Sequence, residues 1–379
     1  MIIGEFVDTY PPTLDGVGRV TLSYCQHLND MGHTAYYIAP DSPAWQEAAK
    51  VPTLLQTSLP IPGEHYRLGL PFIDLRYRRE VDRVPFDIVH THSPFSAGEE
   101  ALRVARKLDI PLVSTFHSKY LKDFYDKTHS MLIAKTVVQH IIRFYNKCDA
   151  VWTVNNATAD VLREYGYQGD IGIFENGTDL EGIEPAALAR MKAKLLPDKR
   201  PMLLFVGQHN YKKNLHGVLG ACALLKEKQV DFRLVTAGTG PDFDAIVEEA
   251  RTLGIADKCQ FLGFMSDRSE LMSVYSMADL LVFPSVYDNA PMVLREAAAM
   301  GTPGIVVAGS CSAEGVQDGY NGFICRDESA EAIAECILRA LPHTKTVGSN
   351  AKATIPMAWK DIIAQVLVEY DRLIQQKRG

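Results

Sequence analysis

Short, uninterrupted runs of apolar and β-branched residues alternate along this chain with longer segments whose apolar residues recur at helical spacing. Strands that are buried on both faces of a sheet have such continuous apolar runs, and helices between consecutive strands imply parallel pairing. In the first half the pattern predicts strands at 2–7, 35–39, 87–90, 111–115, 150–154 and 171–174. It predicts helices between them at 18–31, 97–108, 130–147 and 157–165.

The same alternation restarts in the second half of the chain. Glycine, proline and charged residues are concentrated from Glu175 to Pro201, which is typical of a domain boundary. We therefore expect two doubly wound α/β domains, at 1–180 and 195–358, followed by a C-terminal helix at about 359–379. The predicted strands of the second domain lie at 202–207, 232–238, 260–263, 280–285 and 304–308.

Charge and composition exclude several classes of protein. The 39 Lys and Arg against 46 Asp and Glu give a net charge of −7, so there is no overall positive field that would hold a nucleic acid. No apolar run approaches the roughly 18 residues of a transmembrane helix, and Glu5 and Asp8 interrupt the N-terminal segment too early for a signal peptide. We expect a cytoplasmic protein. Its 7 cysteines lack the spacing of a zinc site and are expected to be reduced.

The segment FPSVYDNAPMVLREAAAMGTP predicts a strand, a loop and a helix in succession. Asp288 lies in the loop, Asn289 could cap the helix, and Pro291 suits an early helical position. The start of such a helix presents N–H groups and a positive dipole to an anion such as a diphosphate. Glu296, further along the helix, could accept two hydrogen bonds from a ribose. The two acids could equally be a helix cap and a solvent-exposed glutamate.

Three other candidate groups of residues follow predicted strands. The turn VGQHNYKKN carries Lys212 and Lys213, which could neutralise a leaving diphosphate or could simply be a solvent-exposed pair. Gly16 and Gly18, before the first helix, would let the backbone approach a phosphate, although the spacing is not a full dinucleotide fingerprint. His117 directly follows a strand of the first domain, where it could face a ligand or serve the structure.

Taken together, these segments resemble glycosyltransferase family 4, and in particular its lipid-directed glucosyl- and mannosyltransferases. The similarity covers most of the chain and includes PPTLDGVGRV, DIVHTHSPF, PLVSTFHS, LLFVGQHNYKKNL, VTAGTGPDFDAI and EAAAMGTPGIVV. The resemblance implies the GT-B fold, in which two Rossmann-like domains face each other across a cleft and the C-terminal helix crosses back to the N-terminal domain. It implies that the N-terminal domain binds the acceptor and the C-terminal domain binds the nucleotide sugar.

The resemblance also implies roles for individual residues. Glu296 matches the second glutamate of an E-x7-E motif, which binds the ribose, and Asp288 takes the place of the first, which holds the sugar hydroxyls. Lys213 matches the lysine that pairs with the diphosphate. Gly16 matches a glycine whose amide approaches the distal phosphate, and His117 matches a histidine near the C6 hydroxyl of the donor sugar.

The implied donor site is larger than these matches. Main-chain atoms near Met265 would contact the base. The expected catalytic residues are His117, Asp288 and Lys213. The expected donor-binding residues are Gly16, Gln208, Lys212, Lys213, Met265, Asp288, Asn289, Ala290, Met292 and Glu296.

Three positions depart from the family pattern. Asp288 is one methylene shorter than glutamate, so the sugar contact should shift by about one C–C bond. Gln208 replaces an arginine and removes one charge from the phosphate clamp, a loss that Lys212 or the helix dipole should offset in part. Pro291 replaces a glycine and cannot donate an N–H. Because some members share an E-N-x-P form, Pro291 indicates a subgroup.

The implied reaction transfers a hexosyl group, with a UDP-sugar as the expected donor, to an acceptor hydroxyl with retention. No D-x-D pair suited to a metal is found near the proposed site, so we expect no metal and no cofactor beyond the nucleotide sugar. Same-face attack is expected, with the leaving phosphate oxygen accepting the acceptor's proton and His117 orienting the sugar. A nucleotide-sugar-binding protein without catalysis is one alternative, and a phosphorylase or epimerase of the same shape is another.

The acceptor is the less constrained substrate. The segments EHYRLGLP and HSPFSAGEEALRVA resemble enzymes that glycosylate membrane glycerolipids or phosphatidylinositol, and RYRREVDR carries four arginines against two acids. Basic residues mixed with apolar ones suit reversible docking on anionic lipid, so we expect a peripheral location on the inner face of the membrane. The apolar residues could instead form the inner face of a domain helix, with the arginines solvent-exposed, and a soluble sugar, thiol, polyol or glycan could be the acceptor. A second basic group comprises Lys119, Lys122, Lys127, Lys135, Arg143 and Lys147, around Phe124, Tyr125, Met131 and Leu132.

Overall fold

The computed structural model describes residues 1–9, 16–42, 51–61, 67–180, 182–195 and 199–379. The chain forms two compact units. The first comprises Met1–Gly177 together with Trp359–Gly379, and the second comprises Thr178–Ala358. The chain passes from one unit to the other near the beginning of the predicted 175–201 boundary segment, so most of that segment belongs to the second unit.

The first unit is built on a parallel sheet of seven strands and a small antiparallel pair. Its strands are β1 (Ile2–Phe6), β2 (Thr34–Pro40), β3 (Thr53–Gln56), β4 (Ser58–Pro60), β5 (Arg67–Gly69), β6 (Ile88–Thr91), β7 (Leu112–Phe116), β8 (Ala150–Thr153) and β9 (Gly172–Ile173). The sheet order is β3-β2-β1-β6-β7-β8-β9, and β4 pairs with β5. The chain changes direction of winding between β1 and β6, so the carboxyl ends of these strands form a topological switch point.

Helices connect the strands of the first unit. They are α1 (Gly16–Asp30), α2 (Leu75–Val81), α3 (Ser96–Leu108), α4 (Tyr120–Thr128), α5 (Met131–Tyr145) and α6 (Asn156–Glu164). Side-chain caps fix several starts: Asn155 accepts a hydrogen bond from the Thr158 amide at 2.8 Å, and Asp74 accepts one from the Tyr77 amide at 2.9 Å. The four helices predicted for this half are confirmed within a residue or two at each end.

The second unit contains a parallel sheet of six strands. They are β10 (Met202–Val206), β11 (Arg233–Ala237), β12 (Cys259–Phe261), β13 (Leu280–Val282), β14 (Gly304–Val307) and β15 (Phe323–Cys325), in the order β12-β11-β10-β13-β14-β15. Its helices are α7 (Pro185–Leu195), α8 (Leu215–Glu227), α9 (Phe243–Thr252), α10 (Arg268–Met277), α11 (Met292–Ala299), α12 (Ala330–Ala340) and α13 (Thr344–Thr354). The switch point here lies between β10 and β13.

The last helix, α14 (Trp359–Arg378), returns to the first unit as predicted. Its apolar stripe is buried, and Trp359 packs edge-on against Tyr24 of α1 with the ring centroids 5.8 Å apart. The Tyr370 ring stacks on Trp152 of β8 at 5.7 Å. The helix therefore completes the core of the N-terminal unit and brings the Tyr370 hydroxyl beneath the central strands.

Two further expectations concern the whole chain. No helix within the described ranges is both long and apolar enough to cross a membrane. All 7 cysteines are free thiols, as predicted, and five of them are buried.

Candidate functional site

The candidate residues of the second unit lie at the carboxyl ends of β10 and β13. Lys213 ends a short 3₁₀ turn after β10, and Asn210 caps this turn by accepting a hydrogen bond from the Lys213 amide at 3.1 Å. The Lys213 ammonium donates to Asp288 Oδ1, and Ser285 Oγ donates to Asp288 Oδ2 at 2.6 Å. The Lys213 and Asp288 side chains are only 16% and 17% exposed. The structure thus brings together the residues predicted to bind the diphosphate and the sugar, and it pairs their charges.

An aromatic ring extends this group. The Lys212 and Lys213 ammonium groups lie 5.0 and 5.6 Å from the centre of the Tyr287 ring, which is within cation–π range. Lys212 therefore belongs to the same group as Lys213, although the sequence analysis did not identify Tyr287. Gln208 is exposed, and its Oε1 accepts a hydrogen bond from the Asn210 side chain at 3.1 Å. It lies in the same loop as Lys213.

The loops after β10 and β11 pack backbone against backbone. Gly238 has φ +135°, and a Cβ there would lie 1.9 Å from the carbonyl oxygen of Gly207. A Cβ on Gly240 would lie 2.4 Å from the carbonyl oxygen of His209. Only glycine allows this approach, so the VTAGTG segment fixes the floor of the loop that carries Lys213. Met265, half-buried, lies in the neighbouring loop, whose Gly263 carbonyl accepts a hydrogen bond from Gly238 at 2.8 Å.

Glu296 is almost fully buried on α11. Its Oε1 accepts a hydrogen bond from Arg268 Nη1 at 2.5 Å, and its Oε2 accepts one from the Tyr275 hydroxyl at 2.9 Å. The alternative that Glu296 is a solvent-exposed helix residue is therefore wrong. Each oxygen keeps a second lone pair with which to accept a hydroxyl, and the two protein hydrogen bonds hold the carboxylate in one orientation. The sequence analysis missed Arg268 and Tyr275.

The start of α11 differs from the prediction. Pro291, with φ −67° and ψ 121°, is the cap residue, it makes no side-chain cap bond, and Met292 is the first helical residue. Asn289 therefore does not cap the helix, because the extended Pro291 delays the first turn by two residues. Asn289 and Ala290 form the loop that leads into the helix.

The first unit contains a buried group that we call the histidine cluster, at the carboxyl ends of β1, β6 and β7. His92 is its centre. Its Nε2 lies 2.9 Å from Glu5 Oε2, and its Nδ1 lies 3.1 Å from Nε2 of His117. The rings of His92 and His117 stack with their centroids 5.3 Å apart. His117, predicted from the sequence, is half-buried directly after β7. The cluster comprises Glu5, His90, His92, Thr115, His117 and Tyr370.

The remaining contacts complete the cluster. The Tyr370 hydroxyl donates to Glu5 Oε1 at 3.0 Å and lies 2.7 Å from His90 Nδ1. His90 Nε2 lies 2.7 Å from Thr115 Oγ1. The sequence analysis singled out His117 but not its partners. The alternating histidines of DIVHTHSPF at a strand end were a signal for them, whereas Tyr370 comes from the far end of the chain.

Burial shifts the protonation of this cluster. It raises the pKa of Glu5 to about 8, against the opposing effect of the Tyr370 hydrogen bond. It lowers the pKa of His92 to about 3, and it lowers the pKa of His90 and of His117 well below the usual range, with neighbouring His92 adding to the effect. Near neutral pH the three imidazoles are therefore uncharged, and each carries a single N–H.

The cluster also has the composition of a metal site. One ligand atom from each of Glu5, His90 and His92 lies within 4.8 Å of the others. However, both carboxylate oxygens and all four nitrogens of the two rings already have hydrogen-bond partners inside the cluster. We therefore interpret it as a hydrogen-bond network.

Gly16 is the exposed first residue of α1, and a Cβ there would meet no atom of the described structure within 4 Å. Gly18 is buried in the same helix. The rest of the predicted phosphate loop, residues 10–15, lies outside the described residues.

An apolar and basic surface lies on the β4–β5 hairpin and the start of α2, and we call it the hairpin surface. Leu59 and Leu68 face each other across the hairpin, and both are exposed. Phe72, Ile73 and Leu75 follow, each with more than half of its surface exposed. The arginine-rich α2 continues from them. The N-terminal part of the predicted EHYRLGLP segment, up to residue 66, lies outside the described residues.

The second predicted basic group lies on α4 and α5. Tyr125, Met131 and Leu132 are exposed, and Leu132 is the most exposed large apolar residue in the described part of the chain. Phe124, in contrast, packs against the core of the unit. Among these four residues, the alternative that they form the inner face of a domain helix is therefore correct for Phe124 only.

Comparisons with known proteins agree with this architecture. A family model described as "Glycosyltransferase Family 4" matches residues 14–181, and one described as "Glycosyl transferases group 1" matches residues 189–353. An alpha-monoglucosyldiacylglycerol synthase of Streptococcus pneumoniae is 27% identical over 80% of this chain and 70% of its own length. A GDP-mannose-dependent alpha-mannosyltransferase of Corynebacterium glutamicum is 25% identical over 99% of this chain and 89% of its own.

A solved structure extends the comparison to the fold. Anabaena Alr3699/HepE, in complex with UDP and glucose, superimposes with a TM-score of 0.78 at 19% identity, covering 98% of this chain and 99% of that one. The predicted GT-B fold, with two Rossmann-like domains, is thereby confirmed.

Proposed function

The chain is a hexosyltransferase of glycosyltransferase family 4, and from that premise we propose that it transfers a hexosyl group from a UDP-sugar to a hydroxyl of a membrane glycerolipid, with retention at the anomeric carbon. The observation that carries the donor half of this proposal is the charge-paired group at the end of β10. Lys213, Asp288 and Lys212 converge there beside Tyr287.

The group has the chemistry that departure of a diphosphate requires. A dianionic ligand can draw the Lys213 ammonium from Asp288 because it offers more negative charge than one carboxylate. Asp288, still held by Ser285, then accepts hydrogen bonds from sugar hydroxyls. Lys212 supplies a second positive charge in the same loop, which offsets the arginine missing at Gln208. Glu296, oriented by Arg268 and Tyr275, binds the ribose.

In the proposed reaction the bond from the anomeric carbon to the phosphate oxygen breaks, and a bond to the acceptor oxygen forms on the same face. The leaving phosphate oxygen takes the proton of the acceptor hydroxyl. Lys213, Lys212 and the first amides of α11 stabilise the negative charge that develops on the diphosphate. His117 orients the donor sugar and is not a general base. No metal or other cofactor takes part in this scheme.

The acceptor half is supported by two observations. One relative is named as a glucosyldiacylglycerol synthase. The hairpin surface and the exposed residues of α5 present apolar side chains next to basic ones. Such a surface can insert apolar groups among acyl chains while its arginines and lysines contact anionic headgroups. We accordingly propose peripheral association with the inner face of the cytoplasmic membrane.

A soluble sugar, a polyol or a glycan is the alternative acceptor. Among donors, GDP-mannose is the alternative, because another relative is named for it. A nucleotide-sugar-binding protein without catalysis would keep the donor group and release no nucleotide.

A screen that measures released nucleotide tests the proposal. It combines UDP-glucose, UDP-galactose, UDP-N-acetylglucosamine or GDP-mannose with vesicles containing diacylglycerol or with soluble sugars and polyols. We expect release from a UDP-sugar that is stimulated by diacylglycerol vesicles and lost in Glu296→Ala. Stimulation by a soluble acceptor alone would refute the lipid acceptor, and binding of donor without release under any condition would refute catalysis.

A further inference from the structure

A continuous line of hydrogen bonds runs from a buried carboxyl to the half-buried histidine at the sheet edge. Glu5 Oε2 contacts His92 Nε2 at 2.9 Å, and His92 Nδ1 contacts His117 Nε2 at 3.1 Å. A neutral imidazole carries one proton on one of its two nitrogens. The proton positions along this line are therefore coupled, because each ring can donate through only one nitrogen.

When Glu5 is ionised, its oxygen can only accept, so His92 carries its proton on Nε2. Its Nδ1 then accepts, and His117 must place its proton on Nε2. Nδ1 of His117 is consequently unprotonated.

When Glu5 is protonated on Oε2, every direction reverses. The carboxyl donates to His92 Nε2, His92 donates through Nδ1 to His117 Nε2, and His117 carries its proton on Nδ1. Passage from the protonated to the ionised state moves one proton across each of the two hydrogen bonds and releases one proton from His117 Nδ1. The loss of a proton at Glu5 thus occurs chemically at His117.

We propose that Glu5 and His92 are positioning residues that set the tautomer of His117, so that the buried carboxyl decides whether His117 Nδ1 accepts or donates a hydrogen bond. The other titratable groups that face Glu5 do not disturb this coupling. Burial and the Glu5 charge raise the pKa of Tyr24 and, more strongly, of Tyr370 and Cys25, so these three stay neutral.

His90 is also neutral and completes the set. Its pKa is lowered well below the usual range by burial, and its two ring nitrogens lie 2.7 Å from Tyr370 and from Thr115. Its Nδ1 also lies 3.4 Å from Glu5 Oε2, but the shorter contact with the Tyr370 hydroxyl takes the proton of that nitrogen. Glu5, with a pKa raised to about 8 by burial, is therefore the group that titrates in this cluster near physiological pH.

The consequence for catalysis depends on the proposed function. When Glu5 is ionised, His117 Nδ1 is a hydrogen-bond acceptor, and polarisation along the hydrogen bonds gives it part of the carboxylate's negative charge. Such an acceptor stabilises a donor-sugar hydroxyl while positive charge develops at the anomeric carbon. We expect kcat/KM to rise about five- to tenfold with pH, with a midpoint near 8. This fold-change corresponds to the difference in strength between a neutral and a charge-assisted hydrogen bond.

The tautomer can be read without substrate. In the full-length protein with ¹⁵N-labelled histidine, two-bond ¹H–¹⁵N spectra distinguish protonated from unprotonated ring nitrogens, and His117→Asn assigns the resonance. We expect His117 Nδ1 to change from the protonated to the unprotonated type as pH rises through about 8. In Glu5→Gln, whose side chain does not titrate, the change should disappear while the protein remains folded.

Two tyrosine variants provide a matched comparison. Tyr370→Phe removes a hydrogen bond that favours the ionised carboxylate, so the midpoint should move to higher pH. Tyr24 packs edge-on against His90 and His92 with centroids 5.5 and 5.1 Å away, and no hydrogen bond from it to Glu5 is found among the described residues. Tyr24→Phe should therefore leave the midpoint nearly unchanged.

Two outcomes overturn the inference. One is a His117 tautomer that stays constant across this pH range in the wild type, and the other is a transition that persists in Glu5→Gln. If the tautomer changes as expected but no hexosyl transfer is found with any acceptor, the proposed function fails while the coupling stands.

Discussion

At the scale of single residues, the central feature is the Lys213–Asp288 pair. In the proposed donor site, replacing Lys213 with alanine removes a charge-assisted bond to the diphosphate, a contribution of about 1.5–3 kcal/mol. We expect kcat/KM for donor to fall about 10- to 150-fold while the folded structure is retained. Steady-state kinetics with varied donor concentration measures this change.

Lys258 offers a matched control for that substitution. It is likewise 16% exposed, pairs with Asp231 at 3.6 Å, and lies 5.4 Å from the centre of the Phe232 ring. Lys258 precedes β12 and so lies at the amino ends of the strands, whereas Lys213 lies at their carboxyl ends. Lys258→Ala should therefore change melting temperature about as much as Lys213→Ala and leave kcat/KM within about twofold. Equal losses of activity in the two variants would show that Lys213 serves only the fold.

Residue type, order and the family resemblance singled out Lys213, Asp288, Glu296 and His117 as candidates from the sequence. Their partners were not identifiable in the same way. Arg268 reaches Glu296 from 28 positions away, and Tyr370 reaches Glu5 from 365 positions away. These contacts depend on how the helices pack and on the return of the C-terminal helix to the first unit, which a single sequence does not reveal.

At the scale of elements, the hairpin surface is the proposed site of membrane docking. The double variant Phe72→Ser and Ile73→Ser removes two exposed apolar side chains without touching the core. Because each buried methylene contributes about 0.8 kcal/mol to membrane partitioning, we expect co-sedimentation with anionic vesicles to fall at least about tenfold.

The control for this experiment is Val368→Ser. Val368 is strongly exposed on α14 and lies outside the hairpin surface. It should leave vesicle binding unchanged. If the double variant bound anionic vesicles as tightly as the wild type at low salt, the hairpin surface would not be the docking site.

The contact between α14 and the preceding chain gives a second prediction at this scale. A Cβ on Gly177 would lie 2.4 Å from the Trp359 side chain and 2.6 Å from its Cα, so Gly177→Ala must displace the start of α14. We expect a loss of about 1–3 kcal/mol in the free energy of unfolding. Gly182→Ala, where a Cβ would meet no described atom within 4 Å, should change it by less than about 0.5 kcal/mol. Chemical denaturation followed by far-ultraviolet circular dichroism, which reports both units, compares the two variants, and equal effects would contradict the close packing.

The elements that were predicted correctly are those with a continuous apolar run between helical segments. Elements that lack this signal were missed. The hairpin strands β4 and β5 have three residues each and exposed leucines, and β15 (Phe323–Cys325) is an edge strand of three residues. The short helix α2 is rich in arginine and buries only Tyr77 and Val81, so its apolar pattern is too weak to predict it.

At the scale of the whole molecule, the buried Glu5 makes stability depend on pH. Its pKa is raised to about 8 in the folded state, from 4.5, so the folded state holds a proton that the unfolded chain has released. Stability therefore falls as pH rises between these values and is level above about 8. The histidine pKa values are lowered, so their effect has the opposite sign and ends near pH 6.5, their ordinary value.

Between about pH 6.5 and 8, Glu5 is thus the group in the cluster that still contributes a pH dependence. Relative to Glu5→Gln, the wild type should lose about 1.4 kcal/mol of unfolding free energy per pH unit in this window. Trp152 and Trp359 both lie in the first unit, so their fluorescence reports its unfolding. If the unfolding free energies of the two proteins changed in parallel with pH across this window, a buried carboxyl with a raised pKa would be contradicted.

For the whole molecule, the proposed reaction moves a hexosyl group from a nucleotide diphosphate sugar to an acceptor hydroxyl with retention. The most direct test is the anomeric configuration of the first product, determined by NMR after incubation with the donor selected by nucleotide release. An α-linked donor should yield an α-linked glycoside on the acceptor, and its formation should be lost with Glu296→Ala and slowed about 10- to 150-fold with Lys213→Ala under the same conditions. A β-linked product, or free hexose as the only product, would contradict the proposed reaction.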